Sequence, residues 1–154
     1  MLIKRQFNKF EVFGEFACGL SSLSTCRRKL TGAIVFPADF SEVLSIGYNG
    51  PASGVPNDFC TATEGSCGCA HAEANAIIKL HTHRLENYIF CTMSPCHACT
   101  NAIINCGQIT KVIYMTPYRD TTCLQLFPYA RIPVIQWSPD YAVFSKRWEA
   151  GSTY

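Results

Sequence analysis

Two short segments of the sequence carry side chains that bind metals and transfer protons. His71 and Glu73 are separated by a single residue, and further along the chain Cys96 and Cys99 follow Pro95 with two residues between them. Two cysteines three positions apart share one face of a helix, and a helix N-terminus stabilises thiolates through its unpaired N–H groups. The spacing therefore predicts that these cysteines act together at the start of a helix.

One imidazole and two thiolates suit a catalytic zinc ion. Zinc prefers tetrahedral coordination by nitrogen and sulfur, and a catalytic site keeps the fourth position for a water whose pKa falls to roughly 7. We expect His71, Cys96 and Cys99 to be the ligands. Glu73 is the expected catalytic residue, since a carboxylate there can carry a proton to a substrate nitrogen and to a departing amine. A Cys-x-x-Cys pair alone also occurs in structural zinc sites and in redox pairs, and both stay open as alternatives.

Alternating helix and strand patterns supply the framework for these residues. Apolar residues at helical spacing predict helices, and short β-branched runs predict strands. The long irregular stretch at 49–70 is rich in turn formers, and such a loop in a compact domain is usually functional or held in place. The order of elements indicates an α/β domain with helices covering a central sheet. We predict helices at 11–30, 71–82, 96–106 and 121–129, and strands at 33–36, 43–48, 88–92, 111–115 and 132–136.

The pattern His-x-Glu followed by Pro-Cys-x-x-Cys resembles the zinc-dependent nucleoside and nucleotide deaminases. Residues 24–35, 47–51, 71–77 and 118–120 are similar to deoxycytidylate deaminases of the short bacterial and phage type. The resemblance covers most of the chain, about residues 10–136. It implies a three-layer cytidine-deaminase-like fold with a five-stranded mixed sheet flanked by helices. It also implies hydrolysis of dCMP to dUMP and ammonia, which would supply dUMP for thymidylate synthesis.

The same resemblance implies contacts to the substrate. Asn49 is expected to hydrogen-bond the sugar, while the backbones of Ala72 and Ser94 hold the O2 and amino edges of cytosine. A fixed backbone donor and acceptor can distinguish cytosine from uracil without ordering a side chain.

Two arginines and a tyrosine are candidates for contacts to the phosphate. A guanidinium group binds phosphate through two hydrogen bonds, which makes Arg28 and Arg119 the candidates, with Tyr118 adding a hydroxyl. The alternative for each arginine is an ordinary solvated surface charge. Larger members of the family respond to dCTP and dTTP across subunit contacts, so these effectors and a homo-oligomer, with a hexamer favoured, are further expectations.

The remaining cysteines fall into two groups. Similar deaminases carry a second zinc in the region of Cys26, Cys60, Cys67 and Cys69, and four thiolates would form a closed structural site that holds the long loop. Cys69 has an alternative role as a small buried side chain. The other group lies in periodic apolar segments and is expected in the core. It comprises Cys18, Cys91, Cys106 and Cys123.

Composition restricts the classes of function. The chain has 154 residues, 48% hydrophobic and 16% charged, with a net charge of +2. We expect one domain over residues 1–154, a small-molecule substrate and no nucleic-acid or membrane partner. The ten cysteines would suit a disulfide scaffold, but the N-terminus shows no secretory pattern. Reduced thiols in the cytoplasm, of a bacterium or of a phage-infected host, are therefore the expectation.

Other functions stay open on the sequence alone. One is deamination of dCTP, free cytidine, guanine or tRNA adenosine, and another is a non-catalytic zinc module that binds a partner. Glu73 distinguishes an enzyme from such a zinc module, because a purely structural metal site has no use for a carboxylate beside an open coordination position.

Overall fold

The computed structural model of the protein describes residues 2–138, with side chains from residue 9 onward. Three α-helices and five strands alternate along the chain, with two short 3₁₀ segments between them. The helices are α1 (Leu2–Ser21), α2 (Ala72–Ile78) and α3 (His97–Asn105). The strands are β1 (Gly32–Pro37), β2 (Ser45–Tyr48), β3 (Asn87–Met93), β4 (Ile109–Thr116) and β5 (Val134–Gln136). The 3₁₀ segments are Asn57–Phe59 and Thr122–Ala130.

The five strands form one mixed sheet in the order β2-β1-β3-β4-β5. Strand β1 pairs antiparallel with both β2 and β3, whereas β3, β4 and β5 run parallel. The five-stranded mixed sheet that the family resemblance implies is confirmed. Parallel strands place their carboxyl ends at one edge of the sheet, which is where α3 begins after β3.

Helices cover both faces of the sheet and create two cores. Side chains of a strand alternate between faces, so Ile34 and Phe36 pack with α1 while Ala33 and Val35 pack with α2 and α3. All six residues of β1 are buried, which explains why its sequence is continuously apolar rather than alternating. The arrangement is the predicted three-layer α/β fold.

The predicted first helix, 11–30, is wrong at both ends, since α1 spans Leu2–Ser21. Tertiary contacts end it early. The Asn49 side chain accepts a hydrogen bond from the Thr31 backbone N–H (2.8 Å) and donates one to the Lys29 carbonyl oxygen (2.7 Å), which holds the chain out of helical geometry. Cys26 is drawn into a buried sulfur cluster in the same stretch. The predicted 121–129 helix is a 3₁₀ segment that contains Pro128.

Three other elements are shorter than predicted by two residues or more at one end. The helix predicted at 71–82 ends at Ile78, and the strands predicted at 43–48 and 132–136 begin only at Ser45 and Val134. The predicted single domain 1–154 extends past the described residues. Within the part of the chain that the structure describes, no helix has the length and hydrophobicity needed to cross a bilayer.

The four cysteines expected in the core differ in their burial. Cys91 and Cys123 are buried, and Cys106 is half-buried. Cys18 is exposed, so its prediction is wrong. The buried face of α1 carries Ala17 and Leu20, and the residue after Ala17 is rotated about 100° away from that face.

Candidate active site

The start of α2 is fixed against the edge of the sheet. Gly50 and Ala70 form an antiparallel bridge with two backbone hydrogen bonds, 3.2 and 2.8 Å long, that returns the long loop to the sheet. His71 is the residue directly before α2. On α2, the Asn75 side chain donates a hydrogen bond to the Tyr48 carbonyl oxygen at the end of β2 (2.9 Å). These bonds set where His71 and the first turn of α2 lie.

The start of α3 is fixed by the ends of β3 and β4. The backbone N–H of Ser94 donates to the Thr116 carbonyl oxygen (2.8 Å), and the Ser94 hydroxyl oxygen accepts from the Tyr118 N–H (2.7 Å). Cys96 is the residue directly before α3, and Cys99 lies in its first turn. Both cysteines are therefore held at the edge of the sheet where the parallel strands end.

His71, Cys96 and Cys99 converge. The Nδ1 atom of His71 lies 3.4 Å from the Sγ atom of Cys96 and 3.4 Å from that of Cys99. Tetrahedral zinc with ordinary bond lengths places nitrogen and sulfur ligands roughly 3.6 Å apart. Among the described residues, this cluster of metal-binding side chains has three members, and Glu73 is not one of them. The residues fit a catalytic zinc that keeps a fourth position open.

The charges at this cluster favour metal ligation. Hydrogen bonds from Cys99 and His71 lower the pKa of the Cys96 thiol to about 3. The hydrogen bond with Cys96 and burial raise the pKa of Cys99, and the contact with Cys96 raises the pKa of His71. These contacts stabilise negative charge on sulfur at the point where the three side chains meet, which suits ligands that release protons when a cation binds.

Glu73 lies in the first turn of α2 and is only 7% exposed. Burial raises the pKa of its carboxyl group above the usual range, because the charged form loses hydration there. A carboxyl group whose pKa moves towards neutrality can both take and give a proton at neutral pH. Its position beside His71, outside the ligand set, suits that role.

A second cluster contains four cysteines. The Sγ atoms of Cys26, Cys60, Cys67 and Cys69 all lie within 4.8 Å of one another. Cys26 is 3.9 Å from both Cys60 and Cys67, close to the roughly 3.8 Å between sulfurs in a tetrahedral zinc site. The cysteines are free thiols rather than disulfides, and Cys69 is the least buried of the four. The donor set fits a closed, structural zinc site.

Backbone groups stabilise negative charge in this four-cysteine cluster. The Arg27 N–H lies 3.4 Å from the Cys60 sulfur, and this contact with that from Ala62 lowers the pKa of Cys60 to about 7. Burial raises the pKa of Cys69. Four clustered sulfurs, three of them on buried cysteines, cannot all ionise without a cation among them, so the cluster is suited to a metal.

Comparison with known proteins decides the family. The model for the "Cytidine and deoxycytidylate deaminase zinc-binding region" matches residues 8–116, a range that includes both cysteine clusters and Glu73. The chain belongs to the cytidine and deoxycytidylate deaminase family. It is 28% identical to a deoxycytidylate deaminase of Schizosaccharomyces pombe over 142 residues, which cover 82% of this chain and 43% of that protein. The chain thus spans less than half the length of that relative.

Viral members of the deaminase family match over most of their own length. The chain is 31% identical over 120 residues to a deoxycytidylate deaminase of Mycobacterium phage D29, covering 68% of this chain and 91% of that one. A crystal structure of dCMP deaminase from the cyanophage S-TIM5, in complex with dCMP and dUMP, superposes with a TM-score of 0.71. The two sequences are 30% identical, and the match covers 82% of this chain and 95% of the other.

Most of the substrate contacts expected in this deaminase-family chain gather at one cavity. Its wall includes Glu73 and two of the three expected zinc ligands, His71 and Cys96. Ala72, the first residue of α2 and the neighbour of both His71 and Glu73, is fully buried. Arg119 faces an adjoining outer cavity of about 450 Å³, a size typical of small-molecule sites. The expected contact residues in the wall of the first cavity are Arg28, Asn49, Ser94 and Tyr118.

Sequence reasoning missed three other residues in this wall, Lys29, Thr31 and Met93. Lys29 extends over the Tyr118 ring, with its Nζ atom 5.9 Å from the ring centre. The position of Lys29 directly after Arg28 could have indicated from the sequence that Lys29 lies at the site. Met93, at the end of a buried strand, has no such indication in the sequence.

The buried Asn49 has a structural role that the sequence did not reveal. Its side-chain oxygen accepts hydrogen bonds from the Ser24 hydroxyl (2.6 Å) and from the Thr31 N–H (2.8 Å), and its amide donates to Lys29. Asn49 thereby shapes the segment that carries Arg28. The Asn49 amide group has two hydrogens and donates one of them to Lys29, which leaves the other for a ligand.

The structure also brings in Glu64, which sequence reasoning did not single out. Its carboxylate lies 3.3 Å from the Arg28 guanidinium and forms a second ion pair with Arg119. The two arginines expected at the phosphate are therefore joined by one acidic side chain.

Proposed function

We propose that the chain is a zinc-dependent enzyme that hydrolyses dCMP to dUMP and ammonia. The observation that carries the proposal is the convergence of His71, Cys96 and Cys99 with the buried Glu73 carboxyl at one cavity. Relatives that carry the name deoxycytidylate deaminase, and a similar structure determined with dCMP and dUMP, support the choice of substrate.

Glu73 transfers the protons in this proposal. A zinc ion held by His71, Cys96 and Cys99 would supply a water that ionises near neutral pH. Glu73 takes one proton of the attacking water and gives it to the ring N3 of cytosine, then moves the second proton of that water to the departing amine, so that the product keeps the N3 proton and ammonia leaves. Its buried, low-dielectric position keeps these protons from exchanging freely with solvent.

Backbone groups near the starts of α2 and α3 recognise the cytosine base. Ala72 is the first residue of α2, so its N–H has no partner within the helix and can donate to cytosine O2. The Ser94 N–H already donates to Thr116, which leaves the backbone of Ser94 only its carbonyl oxygen for the substrate. That oxygen accepts from the cytosine amino group but opposes the carbonyl oxygen that uracil carries at the same position.

The remaining contacts hold the nucleotide by its sugar and phosphate. Asn49 contacts the sugar through its remaining amide hydrogen. Arg28 and Arg119 bind the phosphate, and Tyr118 contributes its hydroxyl group from between them. Arg119 lies over the Tyr118 ring at 5.4 Å, which brings the two guanidinium groups to the same end of the cavity.

A comparison of substrates tests the activity. Cytosine, cytidine, dCMP and dCTP are assayed side by side, together with metal analysis of the purified protein. We expect zinc to be present and dCMP to have the highest kcat/KM. A higher kcat/KM for dCTP or cytidine would refute the substrate assignment, and turnover of none would refute the enzyme.

The four-cysteine cluster is proposed to hold a second, structural zinc. Its support is the tetrahedral spacing of four buried or half-buried sulfurs. Metal analysis should give two zinc ions per chain, one after Cys60→Ser and two after the control Cys18→Ser, because Cys18 is exposed and outside both clusters. Two ions bound to the Cys60→Ser protein would contradict the assignment.

Assembly, effectors and compartment complete the proposal. By family resemblance we propose a homo-oligomer, a hexamer by preference, with dCTP and dTTP as effectors. Thiol clusters that bind metal need a reducing compartment, which supports the cytoplasm. Sedimentation velocity at micromolar concentration, with and without each triphosphate, tests the assembly, and a monomer under all conditions would contradict it.

A further inference from the structure

The acidic residue between the two arginines lies on an exposed turn. Glu64 is 64% exposed and belongs to the short segment between Cys60 and Cys67. The Thr61 N–H donates to the Cys67 carbonyl oxygen (3.1 Å), so the segment closes on itself at the four-cysteine cluster. Its two ends are therefore anchored at the cluster, while Glu64 lies in the exposed part between them.

One carboxylate bridges two cations from distant parts of the chain. Arg28 follows α1 and Arg119 follows β4, yet both pair with Glu64. The neighbouring Gly65 has a φ of +77°, and a Cβ atom there would lie 3.0 Å from the Arg119 guanidinium. The turn is thus shaped so that Arg119 can lie directly against it.

Both arginines lie beside Tyr118 as well as beside Glu64. Arg28 shares the wall of the first cavity with Tyr118, whose proximity raises the pKa of Arg28, and Arg119 lies over the Tyr118 ring, 5.4 Å from its centre. Removing the charge of Glu64 therefore leaves two converging guanidinium groups at the outer cavity. A phosphate dianion offers this pair more oxygens and more charge than a single carboxylate does.

We propose that Glu64 is a specificity-determining residue, whose carboxylate holds the place of the substrate's 5′-phosphate on Arg28 and Arg119 until a phosphorylated ligand displaces it. This inference rests on the proposed function for the identity of the ligand. Exposed ion pairs are weak and screened, so a dianion displaces them readily, whereas a nucleoside without phosphate leaves them intact. Because Tyr118 already orients the arginines, competition by Glu64 outweighs any help it gives in positioning them.

Inorganic phosphate tests the site without requiring catalysis. Its dissociation constant is measured by the rise in unfolding temperature against chloride at matched ionic strength, in the wild type and in Glu64→Gln. We expect phosphate to bind about three- to tenfold more tightly to Glu64→Gln, as loss of two exposed pairs permits. The matched control is Glu42→Gln, whose carboxylate pairs with Arg84 at 2.7 Å and should leave phosphate binding unchanged.

Kinetics give a second readout. In Glu64→Gln the KM for dCMP should fall about three- to tenfold with kcat unchanged, and kcat/KM for deoxycytidine should change less than about twofold. Unchanged or weaker phosphate binding in Glu64→Gln would overturn the inference. Tighter phosphate binding without any dCMP turnover would instead reject the proposed function and leave the role of Glu64 standing.

Discussion

Burying a carboxyl group reduces the stability of a protein, so the buried carboxyl group beside the metal-binding cluster calls for a functional explanation. Glu73 is almost fully buried, and burial raises its pKa because the ionised form is poorly solvated there. It is nevertheless separate from the three side chains that converge on the metal position. The proton transfer proposed for Glu73 accounts for both facts, since a general acid and base needs a proton that it can give and take and a place next to the reacting water.

Replacing Glu73 by glutamine separates metal binding from chemistry. Glu73→Gln keeps the shape and the hydrogen-bonding capacity of the side chain, so we expect zinc content and the unfolding temperature to be maintained. Turnover of dCMP should fall by about 10²- to 10⁴-fold, the usual contribution of a general acid or base. Steady-state assays with Glu42→Gln as a surface control check this, and a fully active Glu73→Gln protein would reject the mechanism.

At the level of elements, the sequence predicts those features that are specified by residues close together in the chain. The two helix starts carrying His71 and Cys96 are placed within a residue or two, because each signal is local. The end of α1 was predicted wrongly because Asn49, far away in sequence, bonds to the segment after the helix. Glu64 had no local signal either, since a glutamate in an exposed loop becomes informative only once Arg28 and Arg119 lie beside it.

The contact of α2 with the sheet depends on a glycine, which has no side chain to separate the two. A Cβ atom at Gly47 in β2 would overlap the Ala72 carbonyl oxygen at the start of α2. Backbone that close cannot move without shifting the helix. The same start of α2 positions His71 and Glu73, so the geometry of the active site is linked to Gly47.

Gly47→Ala should therefore damage stability and activity together. We expect a loss of about 1–3 kcal/mol in the free energy of unfolding, as overpacking usually costs. A shift of the helix by about 1 Å should lower kcat/KM roughly 100-fold. Urea unfolding and dCMP assays measure both, with Gly19→Ala as the control because its new Cβ meets nothing within 4 Å. That control should stabilise α1 by about 0.5–1 kcal/mol, and equal behaviour of the two variants would refute the argument.

On the scale of the whole molecule, the two clusters are joined through a short piece of backbone. Cys69 belongs to the four-cysteine cluster and His71 to the other, with only Ala70 between them. Ala70 also carries the backbone bridge to Gly50. A change in the four-cysteine cluster should therefore also change the position of His71, the proposed ligand of the catalytic metal.

The long loop before α2 should depend on metal for its order, while the sheet should not. Residues 51–59 are exposed or half-buried, and the first strong anchor of the loop is Cys60, which is 1% exposed. The two cores on the sheet contain none of the four clustered cysteines. Since metal binding supplies the energy that orders such a segment, removing it should free the loop and leave the sheet folded.

Chymotrypsin can report this order, because Phe59 is 67% exposed and directly precedes Cys60. After treatment with a zinc chelator we expect rapid cleavage following Phe59, while far-ultraviolet circular dichroism stays close to that of the untreated protein. Adding zinc back should restore resistance. Cys60→Ser should be cleaved even with zinc present, whereas Cys18→Ser should behave like the wild type, since its thiol contacts Met115 rather than either cluster. Cleavage at Phe59 at the same rate with and without zinc would show that the loop is ordered without the metal.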